Sequence, residues 1–179
     1  LGDLGKRILR TPASARQSFT DDPLRMMRAA RFASQLNFEI DEEVLTAMST
    51  MASRISIISA ERVREEFTKL LMSPNPRIGI TILVDTGLAE LIIPEIPKLR
   101  LEIDEHHHHK DVYEHSITVL EQAISQEERL GGPNLVIRLA ALLHDIGKPK
   151  TRNLLEGGGV SFHHHEVVGA RLSKNRMKA

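Results

Sequence analysis

Residues 24–36 read LRMMRAARFASQL, and this stretch decides the fold class. It is built mainly from Ala, Leu, Met and Arg, which give up little conformational freedom in a helix, so a helix is expected here. Asp21-Asp22-Pro23 ahead of it reads as a helix start. Acidic side chains can accept the unpaired first-turn N–H groups, and proline tolerates an early helical position. Outward from this element the helical period continues. Asp41 can cap a helix over 42–51. Ser59 can cap another over 60–72, where Val63, Phe67, Leu70 and Leu71 form one apolar stripe. Pro74 and Pro76 break that helix. A further one is expected from about Arg77 to Val84, ended by Gly87, with a short turn from Leu88 to Ile93.

Beyond Pro94, helices are expected near Asp111 to Ser125, Asn134 to Ile146, and His165 to the chain end. Gly131-Gly132-Pro133 separates the first two. Between the last two, residues 151–162 carry Glu156-Gly157-Gly158-Gly159, which can turn one small β-hairpin. The fold expected is all-α with that hairpin, and Pro94 to Glu105 is the best boundary between two helical domains.

Composition narrows the chemistry. The chain has 179 residues, 41% hydrophobic and 27% charged, as in an ordinary globular protein of one or two domains. It contains no cysteine, which excludes disulfides and thiolate metal sites. Any metal must be held by imidazole and carboxylate, and nine His residues supply the material. The 24 basic and 24 acidic residues cancel, so net charge neither indicates nor excludes nucleic acid. With no Trp, one Tyr and five Phe, a platform for stacking several bases is not expected; RNA would be gripped by backbone and shape. No apolar run approaches a membrane span and no signal peptide opens the chain, so it is expected to be a cytoplasmic piece of something longer, with no membrane partner.

Asp22 and Arg25 lie three apart and would share a helix face. A carboxylate accepts from an exocyclic amino group, and a guanidinium donates to a ring nitrogen or carbonyl. Cytosine and adenine present an amino group beside an unprotonated ring nitrogen, whereas guanine and uracil present a carbonyl beside a ring N–H. The pair can therefore select C and A without a template, each buried mismatch costing on the order of 1–3 kcal/mol. The same residues would also serve as a helix cap and a surface ion pair.

The segment Phe19-Thr20-Asp21-Asp22-Pro23-Leu24-Arg25 with MMRAARFASQLNFEID behind it resembles the acidic-Asp-x-x-Arg motif in the neck of class II tRNA nucleotidyltransferases, the CCA-adding and poly(A)-polymerase family. The likeness continues through ISAERVREEFTKLL. One departure is Asp21, where many relatives carry Glu. The resemblance implies that Asp22 and Arg25 contact the base of CTP or ATP. Arg28 and Arg31, at successive three-residue steps, would reach the triphosphate or tRNA backbone, or else form a solvated, ion-paired face. Ser59, Glu61 and Arg62 are expected to brace the neck, Ser59 as a cap and Arg62 in a local pair. It further implies a linker over residues 1–20 from an absent Mg-dependent nucleotidyltransferase head, and a neck and body over 21–100.

Leu142-Leu143-His144-Asp145-Ile146-Gly147-Lys148 ends an apolar helix, with Gly147 as its stop and Pro149 beyond. His and Asp side by side at a helix end can both reach one cation. With His115 upstream and Phe162-His163-His164-His165-Glu166-Val167-Val168-Gly169-Ala170 downstream, the order resembles the HD phosphohydrolases. That resemblance makes 101–179 an HD domain with His115, His144, Asp145 and His165 as metal ligands. His107 and Asp111 resemble an extra His and acidic residue of some members. The last Asp of the motif has no counterpart before Ala179, implying a domain cut short. His106, His108, His109, His163 and His164 are expected to face solvent. Nitrogen and oxygen donors suit Mg, Mn, Ni or Zn.

The function these resemblances imply is addition of CCA to tRNA 3′ ends, with tRNA, CTP and ATP as partners, the HD domain adding phosphohydrolase chemistry. The alternatives are poly(A) addition, a metal phosphohydrolase acting on RNA 2′,3′-cyclic phosphate ends, and a noncatalytic RNA-binding module.

Overall fold

The computed structural model describes residues 2–100, 111–155 and 159–178. It is mostly helical and divides between Ile92 and Ile93 into two compact units.

The first unit runs α1 (Gly2–Lys6), β1 (Ile8–Leu9), α2 (Ala15–Asp21), α3 (Leu24–Leu36), β2 (Glu39–Ile40), α4 (Glu42–Met51), a 3₁₀ turn (Ala52–Ile57), α5 (Ala60–Leu71), α6 (Pro76–Asp85) and α7 (Leu88–Ile92). Helix α3 is its axle. Met26, Met27, Ala30 and Ala33 recur at three- and four-residue steps and are fully buried, each large side chain contributing roughly 1.5–3 kcal/mol of apolar burial. Asn37 closes the helix in the left-handed region (φ 54) with its N–H on the Ala33 carbonyl, a conformation Asn tolerates better than most residues. Helix α6 comes close enough to α3 that Gly79 N–H donates to the buried Ser34 hydroxyl at 2.8 Å. A Cβ on Gly79 would stand 2.8 Å from the Ala30 carbonyl oxygen, so only glycine permits this approach.

Asp41 accepts from Glu43 N–H and starts α4 as expected. Other details differ from the sequence reading. Ser59 precedes α5 but makes no side-chain cap bond. Asp21 does not open a helix: it ends α2 and accepts from the Gln17 amide at 2.7 Å. Asp22 lies between the two helices in extended backbone (φ −147, ψ 100) and accepts from Leu24 N–H at 3.2 Å, with Pro23 as the N-cap of α3. Residues 1–20, expected to be a linker, hold α1, β1 and most of α2. Ala15 and Phe19 are buried there, and β1 pairs in parallel with β2, Ile8 opposite Glu39 and Leu9 opposite Ile40. Two-residue strands carry no alternation to read in advance.

The second unit contains a 3₁₀ turn (Pro97–Leu99), α8 (Val112–Ser125), a 3₁₀ turn (Glu127–Leu130), α9 (Leu135–Leu143), α10 (Lys148–Thr151), β3 (Asn153–Leu154), β4 (Val160–Ser161) and α11 (His165–Arg176). Tyr113, Ile117 and Leu120 of α8 pack with Leu142, Leu143 and Ile146 in its core. The hairpin expected near 151–162 is the antiparallel pair β3–β4, Asn153 opposite Ser161 and Leu154 opposite Val160. Its glycines Gly157 and Gly158 lie outside the described residues. Asn134 caps α9 by accepting from Val136 and Ile137 N–H. Arg138 of α9 makes a two-pronged bond to Glu127 at 2.6 and 2.7 Å, both residues buried.

Candidate functional sites

In the first unit a chain of alternating charge links α3 and α5. Glu66, on the buried face of α5, accepts from Arg31 Nε at 2.8 Å and lies 3.6 Å from Arg28 Nε. Arg28 reaches on to Asp22 Oδ2 at 3.7 Å, and Arg62 of α5 approaches the same oxygen at 3.6 Å. Asp22 is thus flanked by two guanidinium groups while its side chain remains 22% exposed. Partial exposure leaves an edge of the carboxylate for a ligand. Arg25 is exposed and turns its Nη1 toward the hydroxyl and carbonyl of Ser18, at 3.1 and 3.4 Å.

Of the four residues read as nucleotide-facing, Asp22, Arg25 and Arg28 therefore lie around the α2–α3 junction. Arg31 is 13% exposed, with donors on Glu66 and Gln35 and its guanidinium 4.1 Å over the Phe32 ring. Sequence reasoning missed Glu66 and Arg54, whose Nη2 donates to the Thr20 carbonyl at 3.1 Å and so holds the last turn of α2. It placed Arg62 in a local pair, but Arg62 crosses to Asp22. A buried Glu inside the otherwise apolar face of α5 was the available signal.

In the second unit His115 of α8 and His144-Asp145, in the turn after α9, bring ligand atoms within 4.8 Å of one another. His144 Nε2 lies 3.2 Å and His115 Nε2 3.9 Å from Asp145 Oδ2; His165, at the start of α11, faces the other oxygen, Oδ1, at 3.6 Å. His144 Nδ1 stands 2.8 Å from the Ala141 carbonyl and His165 Nδ1 2.8 Å from that of Phe162. A carbonyl only accepts, so Nδ1 carries the proton in each and Nε2 is directed to the cluster, the usual orientation for metal-ligating imidazoles. The Asp145 carboxylate is buried at 3% exposure. Burial works against its charge, but His144, which donates through Nε2 only when protonated, and Lys148 outweigh it and hold the pKa at about 2. The bond to Asp145 raises the His144 pKa in turn, burial opposing it. Two imidazole nitrogens and an ionised carboxylate suit a divalent cation.

Gly147 was read as a helix stop, yet its φ is −78 and its role is spatial. A Cβ there would run into the His165 carbonyl oxygen and stand 2.7 Å from Gly169 N. Its absence lets α11 press against the His144-Asp145 turn. Asp111 caps α8 by accepting from Tyr113 N–H at 2.9 Å. His163 and His164 are exposed. His106, His107, His108 and His109 lie outside the described residues.

Residues 37–99 match a family model described as the probable RNA and SrmB-binding site of polymerase A, and residues 112–179 match the HD domain. Together these matches place a helical region similar to polymerase A ahead of one similar to the HD domain. The A-adding tRNA nucleotidyltransferase of Deinococcus radiodurans is 37% identical over 177 residues, covering 96% of this chain and 40% of its own. A multifunctional CCA protein of Neisseria meningitidis serogroup A is 37% identical over 185 residues, covering 99% and 42%. The chain is similar to these tRNA nucleotidyltransferases over nearly all of its own length and spans less than half of theirs. A solved structure described as tRNA-processing enzyme complex 3 shares the fold with a TM-score of 0.62 and 16% identity, over 99% of this chain and 41% of that one.

Proposed function

We propose that this chain is the nucleotide-selecting and RNA-holding part of an enzyme that adds CCA to tRNA 3′ ends, joined to an HD domain that hydrolyses phosphate esters at RNA ends. The observation that carries the first half is the setting of Asp22. Its carboxylate sits at a helix junction, flanked by Arg28 and Arg62 at 3.7 and 3.6 Å and partly open to solvent. From there it accepts the exocyclic amino group of cytosine or adenine, while Arg25, released from Ser18, donates to the neighbouring ring nitrogen. Guanine and uracil offer the opposite pattern and leave buried groups unpaired. Arg28 faces the phosphates. Arg31, committed to Glu66, acts as a brace. The family's polymerising chemistry belongs to a head domain that binds Mg²⁺; the residues described here choose what it adds. No helix among the described residues is long and apolar enough to cross a membrane, and the cytoplasm, where tRNA matures, is the proposed location.

For the second half, His115, His144 and Asp145 would hold a divalent ion such as Mg, Mn, Ni or Zn, with His165 beside them. When bound, such an ion lowers the pKa of a coordinated water and polarises a phosphoryl oxygen. The chain's own part is to keep Nε2 of each imidazole facing the site and Asp145 ionised. The substrate class proposed is a 2′,3′-cyclic phosphate or phosphomonoester at an RNA end.

Both halves are tested on the full-length parent with tRNA lacking its CCA end and each NTP in turn. Incorporation confined to C and A supports CCA addition. Incorporation of A alone, as the name of the Deinococcus radiodurans relative would suggest, replaces it with A addition. Use of G or U overturns the role of Asp22. Conversion of cyclic-phosphate RNA that survives removal of the head domain and is lost in H144A assigns hydrolysis to the HD domain.

A further inference from the structure

We propose that Lys148 is a built-in competitor for the metal position, its ammonium holding the Asp145 oxygen that a divalent ion needs, so that loading the site exchanges one cation for another. The inference rests on the metal-site reading above.

The geometry is specific. Lys148 Nζ lies 2.7 Å from Asp145 Oδ2, nearer than His144 Nε2 at 3.2 Å or His115 Nε2 at 3.9 Å to the same atom. Both imidazoles face that oxygen, and a carboxylate oxygen of Asp145 completes the group of candidate ligand atoms. Asp145 is only 3% exposed, so water cannot offset its charge and a cation must, since an unpaired buried carboxylate is costly. The backbone places Lys148 for this: its N–H donates to the Asp145 carbonyl at 2.9 Å, which closes the turn and puts the side chain back over the carboxylate.

Lys148 can also leave. Its side chain is 22% exposed, and lysine carries a compact, well-hydrated charge on a flexible stem. The Phe162 ring, with its centroid 5.7 Å from Nζ, offers a second place for the ammonium outside the ligand set. A divalent ion held by Asp145, His144 and His115 would repel an ammonium at the same oxygen, and the partly buried setting strengthens that repulsion. Lysine therefore helps the fold when no ion is bound and opposes the ion when it arrives.

Calorimetric titration of Mn²⁺ into the chain, wild type against Lys148→Met and Lys148→Arg, tests this. Methionine keeps the stem and removes the charge, and should bind Mn²⁺ about tenfold more tightly. Arginine keeps the charge with a second prong for the carboxylate and should bind more weakly than wild type. Thermal melting supplies the second readout: K148M should melt below wild type in chelator and gain more from saturating Mn²⁺. Equal or weaker binding by K148M, or tighter binding by K148R, overturns the proposal while leaving the metal site standing. If neither wild type nor K148M binds Mn²⁺, the metal reading falls and takes this one with it.

Discussion

Arg31 and Glu66 meet at 2.8 Å across α3 and α5, with side chains only 13% and 6% exposed. The same carboxylate draws Arg28 to 3.6 Å, and Arg28 and Arg62 in turn flank Asp22. One buried anion thus orders the cations around the exposed one. Removing one partner of a buried pair strands the other, so Glu66→Ala should lower unfolding free energy by roughly 3–5 kcal/mol. Glu66→Gln, which keeps an acceptor for Arg31, should cost less. Urea denaturation of the chain checks both, and an alanine variant as stable as wild type would show that Arg31 finds another partner.

Asp22 is expected to act on choice of nucleotide. In the full-length parent, Asp22→Ala should reduce discrimination against GTP and UTP by about tenfold or more, the loss of one matched polar contact, while tRNA affinity changes little. The measurement is single-nucleotide incorporation with each NTP beside a tRNA binding curve. Unchanged selectivity would remove the base-reading role, and parallel loss of tRNA binding would make Asp22 a residue of the RNA surface.

Local signals in the sequence were readable where the physics is local. Asp41 accepts from an N–H two residues on, and the helix it starts ends at Met51 as the period implies. The adjacent His144-Asp145 and the distant His115 could be named together because their order resembles that of the HD phosphohydrolases, and the structure brings their ligand atoms within 4.8 Å. Partners far along the chain were not readable. Nothing near Arg62 shows that its counter-ion is Asp22, and no spacing rule connects Glu66 to Arg31. Asp21-Asp22-Pro23 carries the composition of a helix start, which concealed that α2 ends there. Gly147 looked like a glycine chosen for its backbone, but the reason is a neighbouring helix, and proximity between segments has no local signature.

Acid should weaken the second unit through Glu127. Its pKa lies below the ordinary 4.5 because Arg138 bonds to it, with the Asn134 N–H adding to this and burial opposing it. The folded state therefore holds the proton less readily than the unfolded chain. The pair's stabilisation is complete above pH 4.5 and is lost as pH falls through the depressed folded value. Glu127→Gln removes the ionisation. Melting temperatures of wild type and E127Q should differ most at neutral pH and converge as pH falls through the depressed folded value; a gap that stays constant across the whole acid range would mean that the pair does not titrate with unfolding.

Gly147 and Gly169 face each other where α11 meets the His144-Asp145 turn, and substitution should separate their roles. A Cβ on Gly147 meets backbone, the His165 carbonyl and the Gly169 nitrogen at 2.7 Å, whereas one on Gly169 finds its nearest neighbour, Gly147 N, at 3.4 Å. Backbone cannot rotate away as a side chain can, so Gly147→Ala must push α11 off the turn, at about 1–3 kcal/mol for overpacking of this kind. Gly169→Ala should be nearly neutral. Because His165 opens α11 and faces Asp145 Oδ1 at 3.6 Å, the displacement should also loosen the cluster. G147A should therefore bind Mn²⁺ more weakly than wild type by calorimetry, and G169A should bind it equally. If both variants were equally stable and equally competent, α11 would not be held by this contact, and His165 would owe its place to the Phe162 carbonyl and the β3–β4 hairpin instead.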